Sequence, residues 1–162
     1  MRFGNIFSVN IGPDYNGKLR EIDVRTLCKV AEMIRNPPAV EWPIVSGVKA
    51  SSEWPGYPAA KAVDGHESTR WGAAPDARSG WLEVDLGKDT RVGKAVVIET
   101  SFPRTQEFAI EYKDGDSWKP VVTGTTIAGN KTYEFKPVKA RYFRLNIIKA
   151  NEVPTIDEFQ LY

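Results

Sequence analysis

The chain has one cysteine, Cys28, and one histidine, His66. A lone cysteine excludes an intrachain disulfide, and it leaves the redox compartment open. A lone histidine gives a serine or cysteine triad only one candidate base. No run of about 18 apolar residues occurs, so no helical membrane span is encoded. The opening MRFGNIFSVN lacks the charged-then-apolar layout of a signal peptide. Charge of one sign is also lacking. Basic residues number 22 and acidic ones 21, with no local basic cluster, so no field is present to draw in nucleic acid or an anionic membrane. Gly12 and Gly17 lack the spacing of a phosphate loop or a dinucleotide fingerprint. Internal repeats and low-complexity tracts are absent.

What is present fits one ordinary domain plus an appendage: 162 residues, 41% hydrophobic and 27% charged, enough for a folded core. Five Trp and six Tyr are many for this length, and large aromatics serve both sandwich cores and flat platforms for sugar rings. Residues 6–11 (IFSVNI) fit a buried strand. Gly12-Pro13-Asp14 and Asn16-Gly17 are turn signals. Val24, Leu27, Cys28, Ala31 and Ile34 then fall on one face of a helix. Glu21 or Asp23 marks its start and Asn36-Pro37-Pro38 its end. One strand and one helix cannot build a core, so residues 1–36 are expected to be the tail of a larger domain. Residues 37–43 (PPAVEWP) read as a stiff linker. Beyond them the helical period vanishes. Short alternating segments at 44–48, 81–86, 92–99, 108–113, 118–122, 132–135, 142–148 and 156–162 predict an all-β fold. About eight antiparallel strands would form a sandwich or barrel over 44–162.

The chemistry-bearing residues cluster in turns. Asp64-Gly65 is followed by Thr69 and Trp71, which suggests a turn stapled by an ion. Calcium takes six to eight oxygens. Asp64 and Thr69 would supply side-chain oxygens and the turn its carbonyls. The alternative is a metal-free turn, in which Asp64 accepts from backbone amides and Thr69 bonds Asp64. The Glu53-Trp54-Pro55-Gly56-Tyr57 turn presents two large aromatics. Phe102-Pro103-Arg104 offers an apolar face beside a guanidinium, and Asn151-Glu152 lies in the last loop. Such pairings of aromatic faces with planar donors suit a sugar, with Glu53, Trp54, Tyr57, Phe102, Arg104 and Asn151 as candidates. Retaining glycoside hydrolysis needs two carboxyl groups about 5–5.5 Å apart. Asp14 and Glu21 read instead as a turn residue and a helix-start charge. Cys28, on the apolar helix face, reads as an inert core thiol. No catalysis is expected of this chain.

The ordered set AVDGHESTRW, WLEVDLG, FAIEYKDGDSW, ARYFRL and TIDEFQLY resembles the discoidin-like (coagulation factor 5/8 C-type) domain, shared with carbohydrate-binding module family 32. The resemblance covers most of 44–162 and implies a jelly-roll β-sandwich. It adds the Lys61 carbonyl and the Glu158 carboxylate to a calcium set of Lys61, Asp64, His66, Thr69 and Glu158. Imidazole is a poor calcium ligand, so His66 would serve through its carbonyl. It also makes Trp71, Trp81 and Trp118 structural. Galactose-binding members commonly carry a histidine after the Trp of the acidic turn. Gly72 stands there, so galactose specificity does not carry over.

A narrower likeness extends further. GTTIAGNK, KARYFRLNI and NEVPTIDEFQLY are similar to the C-terminal sandwich of family 29 α-L-fucosidases. GNIFSVNIGPDYNGKLREID is similar to the end of their (β/α)8 barrel, with Ser8 and Val9 where leucines are usual and Pro-Pro closing the helix. This implies a strand-helix barrel remnant at 1–36, catalytic carboxylates upstream of it, and a periplasmic or extracellular setting. The implied function is a non-catalytic module that binds glycans, fucosylated ones among them, beside the catalytic barrel. The alternatives are a structural sandwich that packs on the barrel without binding sugar, or a protein or lipid adhesion module.

Overall fold

The computed structural model describes residues 15–35 and 45–162. The chain divides into two compact units, Met1–Val40 and Glu41–Tyr162. In the first, helix α1 spans Glu21–Arg35, with Glu21 and Asp23 in the first turn and Arg35 in the last, as the macrodipole favours. Arg20 Nε donates to Asp23 Oδ2 at 2.6 Å and Arg25 Nη2 to Glu21 Oε1 at 2.5 Å. The expected helical period is present. The expected burial is not: Val24 is 40% exposed and Cys28 is also exposed. Cys28 is therefore a surface thiol and not a core one, because no second layer among the described residues covers the apolar face of the helix. The strand expected at 6–11, Asp14, the linker at 37–43 and the side chain of Ile34 lie outside the described residues.

The second unit is an antiparallel β-sandwich. Its strands are β1 (Gly47–Ala50), β2 (Trp71–Gly72), β3 (Gly80–Glu99), β4 (Thr105–Asp114), β5 (Ser117–Gly124), β6 (Gly129–Ala150), β7 (Thr155–Ile156) and β8 (Glu158–Leu161), with a 3₁₀ turn at Ala59–Ala62. The order β1-β3-β6-β4-β5 forms one sheet, onto which β8 adds beside β3, while β2 and β7 pair apart. Strands β3 and β6 serve both layers. From Gly80 to Asp85, β3 pairs with the second half of β6 and with β1. From Lys94 to Glu99 it pairs with the first half of β6, and its outer edge takes β8.

The crossing between layers is made by register shifts between Asp85 and Thr90 and between Val92 and Lys94. Extra residues bend a strand and sharpen its twist. Gly87 sits in this bend with φ +73°, and its N–H donates to Asp85 Oδ1 at 2.7 Å. The period-2 pattern of β3 then places Leu82, Val84 and Leu86 inside and Trp81, Glu83 and Asp85 outward. Trp71, Phe108, Ile110, Phe143, Leu145, Ile147 and Phe159 complete a single core.

Eight short strands were expected, and their described residues lie in strands except Val45, Ser46, Asp157 and Tyr162. The breaks differ. Segments 81–86 and 92–99 are one strand, as are 132–135 and 142–148, while 156–162 divides at Asp157. Glycine, aspartate and proline mark a bulge as readily as a reversal, so the same residues punctuate both. The short β2 carries too few residues to show a period.

Candidate functional site

Pairing of Trp71 with Ile156 and of Gly72 with Thr155 draws the loop before β2 against the loop after β6. With the β2–β3 and β3–β4 loops they enclose a cleft of about 480 Å³, lined by Trp54, Tyr57, Arg70, Gly72, Pro75, Asp76, Arg78, Phe102, Arg104, Glu152, Val153 and Thr155.

One wall is the 54–57 turn. The Tyr57 N–H donates to the Trp54 carbonyl at 2.9 Å, and Gly56 has φ +88° after Pro55, the arrangement of a type II turn. The Trp54 N–H donates to the Gly72 carbonyl at 2.7 Å, and the Gly72 N–H to that of Tyr57 at 3.1 Å. The turn is thereby pinned to β2. A Cβ on Gly72 would lie 3.4 Å from Tyr57 Cβ and 3.6 Å from Trp54 Cβ. A larger side chain there would occupy the cleft.

The opposite wall is the loop at 100–104, held at both ends by buried carboxylates. Asp157 Oδ2 accepts from the Thr100 N–H at 2.8 Å, the Thr100 hydroxyl at 2.8 Å and the Ser101 N–H at 3.1 Å. Glu99 Oε1 accepts from the Arg104 N–H at 3.0 Å, the Thr105 N–H at 3.0 Å and the Thr105 hydroxyl at 2.9 Å. Arg104 Nη1 donates to the Val153 carbonyl at 2.9 Å, and its Nη2 pairs with Glu152 at 3.0 Å. Arg70 bridges the two walls. Its guanidinium carbon lies 4.9 Å from the ring centres of both Tyr57 and Phe102, and that of Arg104 lies 4.9 Å from Phe102. Stacked guanidiniums keep their N–H edges free to donate. Trp54 is 41% exposed, and no cation or ring lies over it among the described residues.

Of the sequence candidates, the structure brings Trp54, Tyr57, Phe102 and Arg104 into this one cleft. Glu53 turns away, and its Oε1 accepts from the Ala59 N–H at 2.8 Å, bracing the 3₁₀ turn. Asn151 is exposed and outside the cleft. Its N–H donates to the Arg104 carbonyl at 3.0 Å. Sequence reasoning passed over Arg70, Asp76 and Arg78. Arg70 stands two residues before Gly72, and with β2 only two residues long no alternation marked it as facing the same way. Asp76 has φ +67°, at the tip of a loop that carries no motif.

The acidic turn is a separate locus. The Thr69 hydroxyl lies 3.2 Å from the Lys61 carbonyl, 3.0 and 2.8 Å from the two Asp64 oxygens and 2.9 Å from the His66 carbonyl. The His66 N–H lies 2.9 Å from Asp64 Oδ1 and 3.0 Å from Glu158 Oε1. Lys61, Asp64, His66, Thr69 and Glu158 are thus brought together, with His66 contributing backbone atoms. A hydroxyl carries one proton, so it satisfies one of those four acceptors at a time. Burial pushes the Glu158 carboxyl above the ordinary range; Asp64 adds to this, and the Gln160 and His66 donors oppose it. Among the described residues no three His, Cys, Asp or Glu side chains cluster. The set is two carboxylates, two carbonyls and a hydroxyl, all oxygen, which suits a hard cation and not a thiolate- or imidazole-seeking metal.

No curated protein sequence matches the chain. Solved structures do. The family 32 carbohydrate-binding module of C. perfringens NanJ in complex with galactose is 26% identical, with TM-score 0.64 over 71% of this chain and 91% of its own. Chitosan-binding module 1 of a Paenibacillus sp. IK-5 chitosanase/glucanase is 26% identical, with TM-score 0.65 over 72% of this chain and 93% of its own. A Ruminococcus gnavus GH29 fucosidase in complex with fucose is 23% identical, with TM-score 0.72 over 94% of this chain. This chain spans 32% of that fucosidase. The F5/8 type C domain model matches residues 47–159. With the antiparallel sandwich and its loop-built cleft, that match makes the chain a member of the F5/8 type C, or discoidin-like, domain family.

Proposed function

We propose that the sandwich is a carbohydrate-binding module and that the cleft between the 54–57 turn and the 100–104 loop holds the glycan. The carrying observation is the cleft itself. It joins one uncovered indole face, Trp54, to guanidinium donors fixed on aromatic rings. An indole covers the C–H patch of a sugar ring, and planar donors meet its oxygens. Structural neighbours that carry galactose or chitotriose support the reading. The role assigned to the cleft is recognition. The parent would be an α-L-fucosidase of family 29, with residues 1–36 from its barrel, 37–43 as linker and 44–162 as the module. Its support is a fold match that reaches over 94% of the chain, beyond the sandwich. A module bound to one part of a glycan raises the effective concentration of the rest at a linked catalytic site.

Calcium would be held by the Lys61 and His66 carbonyls, Asp64, Thr69 and Glu158. Its role would be structural, offsetting the two adjacent carboxylates.

Calorimetric titration with fucosylated and unfucosylated oligosaccharides tests the reading. Binding should weaken about tenfold in Trp54→Ala, the worth of one aromatic stacking contact. Absence of binding to any glycan would overturn it in favour of a sandwich that only packs.

A further inference from the structure

The charges in the cleft are unequal. Three guanidiniums, Arg70, Arg78 and Arg104, face two carboxylates, Asp76 and Glu152. Arg104 is neutralised by Glu152 at 3.0 Å. Arg70 has no carboxylate partner among the described residues, and its contacts are the two rings. The Arg78 side chain donates to the neighbouring Ala77 carbonyl at 3.0 Å and forms no ion pair among the described residues. The stacking rings hold the Arg70 fork in place before any ligand arrives, and it is half-buried, where screening is weaker. The aromatic faces of Tyr57 and Phe102 are taken up by guanidiniums, which leaves Trp54 as the uncovered ring.

We propose that this cleft takes an acidic glycan, one whose sugar carries a carboxylate or a sulfate ester. The anionic group would meet Arg70 and Arg78 and the ring would lie on Trp54. The inference rests on the carbohydrate reading and goes beyond it in naming the ligand class. A neutral sugar would leave the Arg70 charge uncompensated. A uronate or sulfate accepts two parallel N–H bonds from one guanidinium, the strong and geometrically selective form of this contact.

The test uses matched pairs on the full chain: trigalacturonate beside its methyl ester, and a sulfated galacto-oligosaccharide beside its desulfated form. The acidic member of at least one pair should bind about tenfold to a hundredfold more tightly, and the pair that does so identifies the anion. That advantage should shrink between about 0.05 and about 0.5 M salt and disappear in Arg70→Gln. Because Arg70 is half-buried, Arg78→Gln, at an exposed position, serves as a second variant; it should lower the acidic affinity more than the neutral affinity and leave the melting temperature unchanged. Equal affinity within both pairs would overturn the inference and leave the carbohydrate reading intact. Failure of every acidic and neutral glycan to bind would overturn both.

Discussion

Glu99 and Asp157 are buried acids, 1% and 2% exposed, and they fix where the cleft side chains stand. Asp157 accepts three hydrogen bonds at the start of the 100–104 loop, and Glu99 accepts three at its other end and a fourth from the Ala128 N–H at 3.4 Å, so each holds one end of the loop. Glu99→Ala would strand the N–H donors of Arg104 and Thr105 beside an apolar void. Leaving such groups unpaired costs about 3 kcal/mol, so the melting temperature should fall by several degrees and glycan binding should weaken with it. A variant that melts like the parent would show that the loop holds itself. Gly72 acts in the opposite sense. With Tyr57 Cβ 3.4 Å from where its own Cβ would stand, Gly72→Leu should obstruct the cleft and abolish glycan binding. Retained affinity in a titration would place the sugar elsewhere.

At the scale of the elements, the bend in β3 carries the architecture. Gly87 is at φ +73°, and Ser46 packs where its Cβ would lie. A non-glycine residue in the left-handed region costs about 1–2 kcal/mol before any clash is counted. Gly87→Ala should therefore lower stability in denaturant titration by at least that amount, and Ser46→Gly in the same chain should restore only the part due to crowding. Full restoration would mean that φ is not the constraint. Next to this bend the Asp85 carboxylate meets the Arg141 guanidinium through bonds of 2.7 and 2.9 Å, joining β3 to β6. The Arg141 hydrogen bond holds the Asp85 carboxyl below the usual carboxylate range; partial burial opposes it and the Gly87 N–H adds to it. A carboxyl depressed in the folded state stabilises above its unfolded pKa, and that contribution is lost as pH falls through the folded value. The stability gap between the parent and Arg141→Gln should accordingly be largest near neutrality and close in acid; a gap independent of pH would assign it to packing alone. The same region shows what the chain disclosed in advance. Period-2 alternation named residues 81–86 and 92–99 of β3, because burial on one face forces it. It could not tell a bulge from a turn, because both draw on glycine and aspartate. In the cleft, Trp54, Tyr57, Phe102 and Arg104 were legible as aromatics and a cation in turns. Arg70 and Arg78 were not, since their place depends on the β2–β7 pairing of segments more than 80 positions apart.

For the whole sandwich, closure depends on how the last strand is tied to the rest. Strand β8 adds at the edge of β3 through four residue pairs, a short ladder. A second tie is the acidic turn, where the His66 N–H reaches Glu158 Oε1 at 3.0 Å across 92 positions of sequence. Two carboxylates converge there, one of them buried, and burial disfavours the charged form of Glu158. A bound cation would offset that repulsion and turn a costly contact into a staple between residues 61–69 and β8. Since a ligand that binds only the folded state stabilises by RT ln(1 + [L]/Kd), calcium at a hundredfold excess over Kd should add about 2.7 kcal/mol. For a domain of this size that corresponds to a rise of roughly 10 °C in melting temperature, reversed by chelator. Asp64→Asn and Glu158→Gln should each erase the calcium response. They should destabilise the metal-free protein less than the calcium-loaded protein, because each also removes the repulsion. If the midpoint is the same with calcium and with chelator, the turn closes without metal, through the Thr69 hydroxyl and the His66 N–H alone.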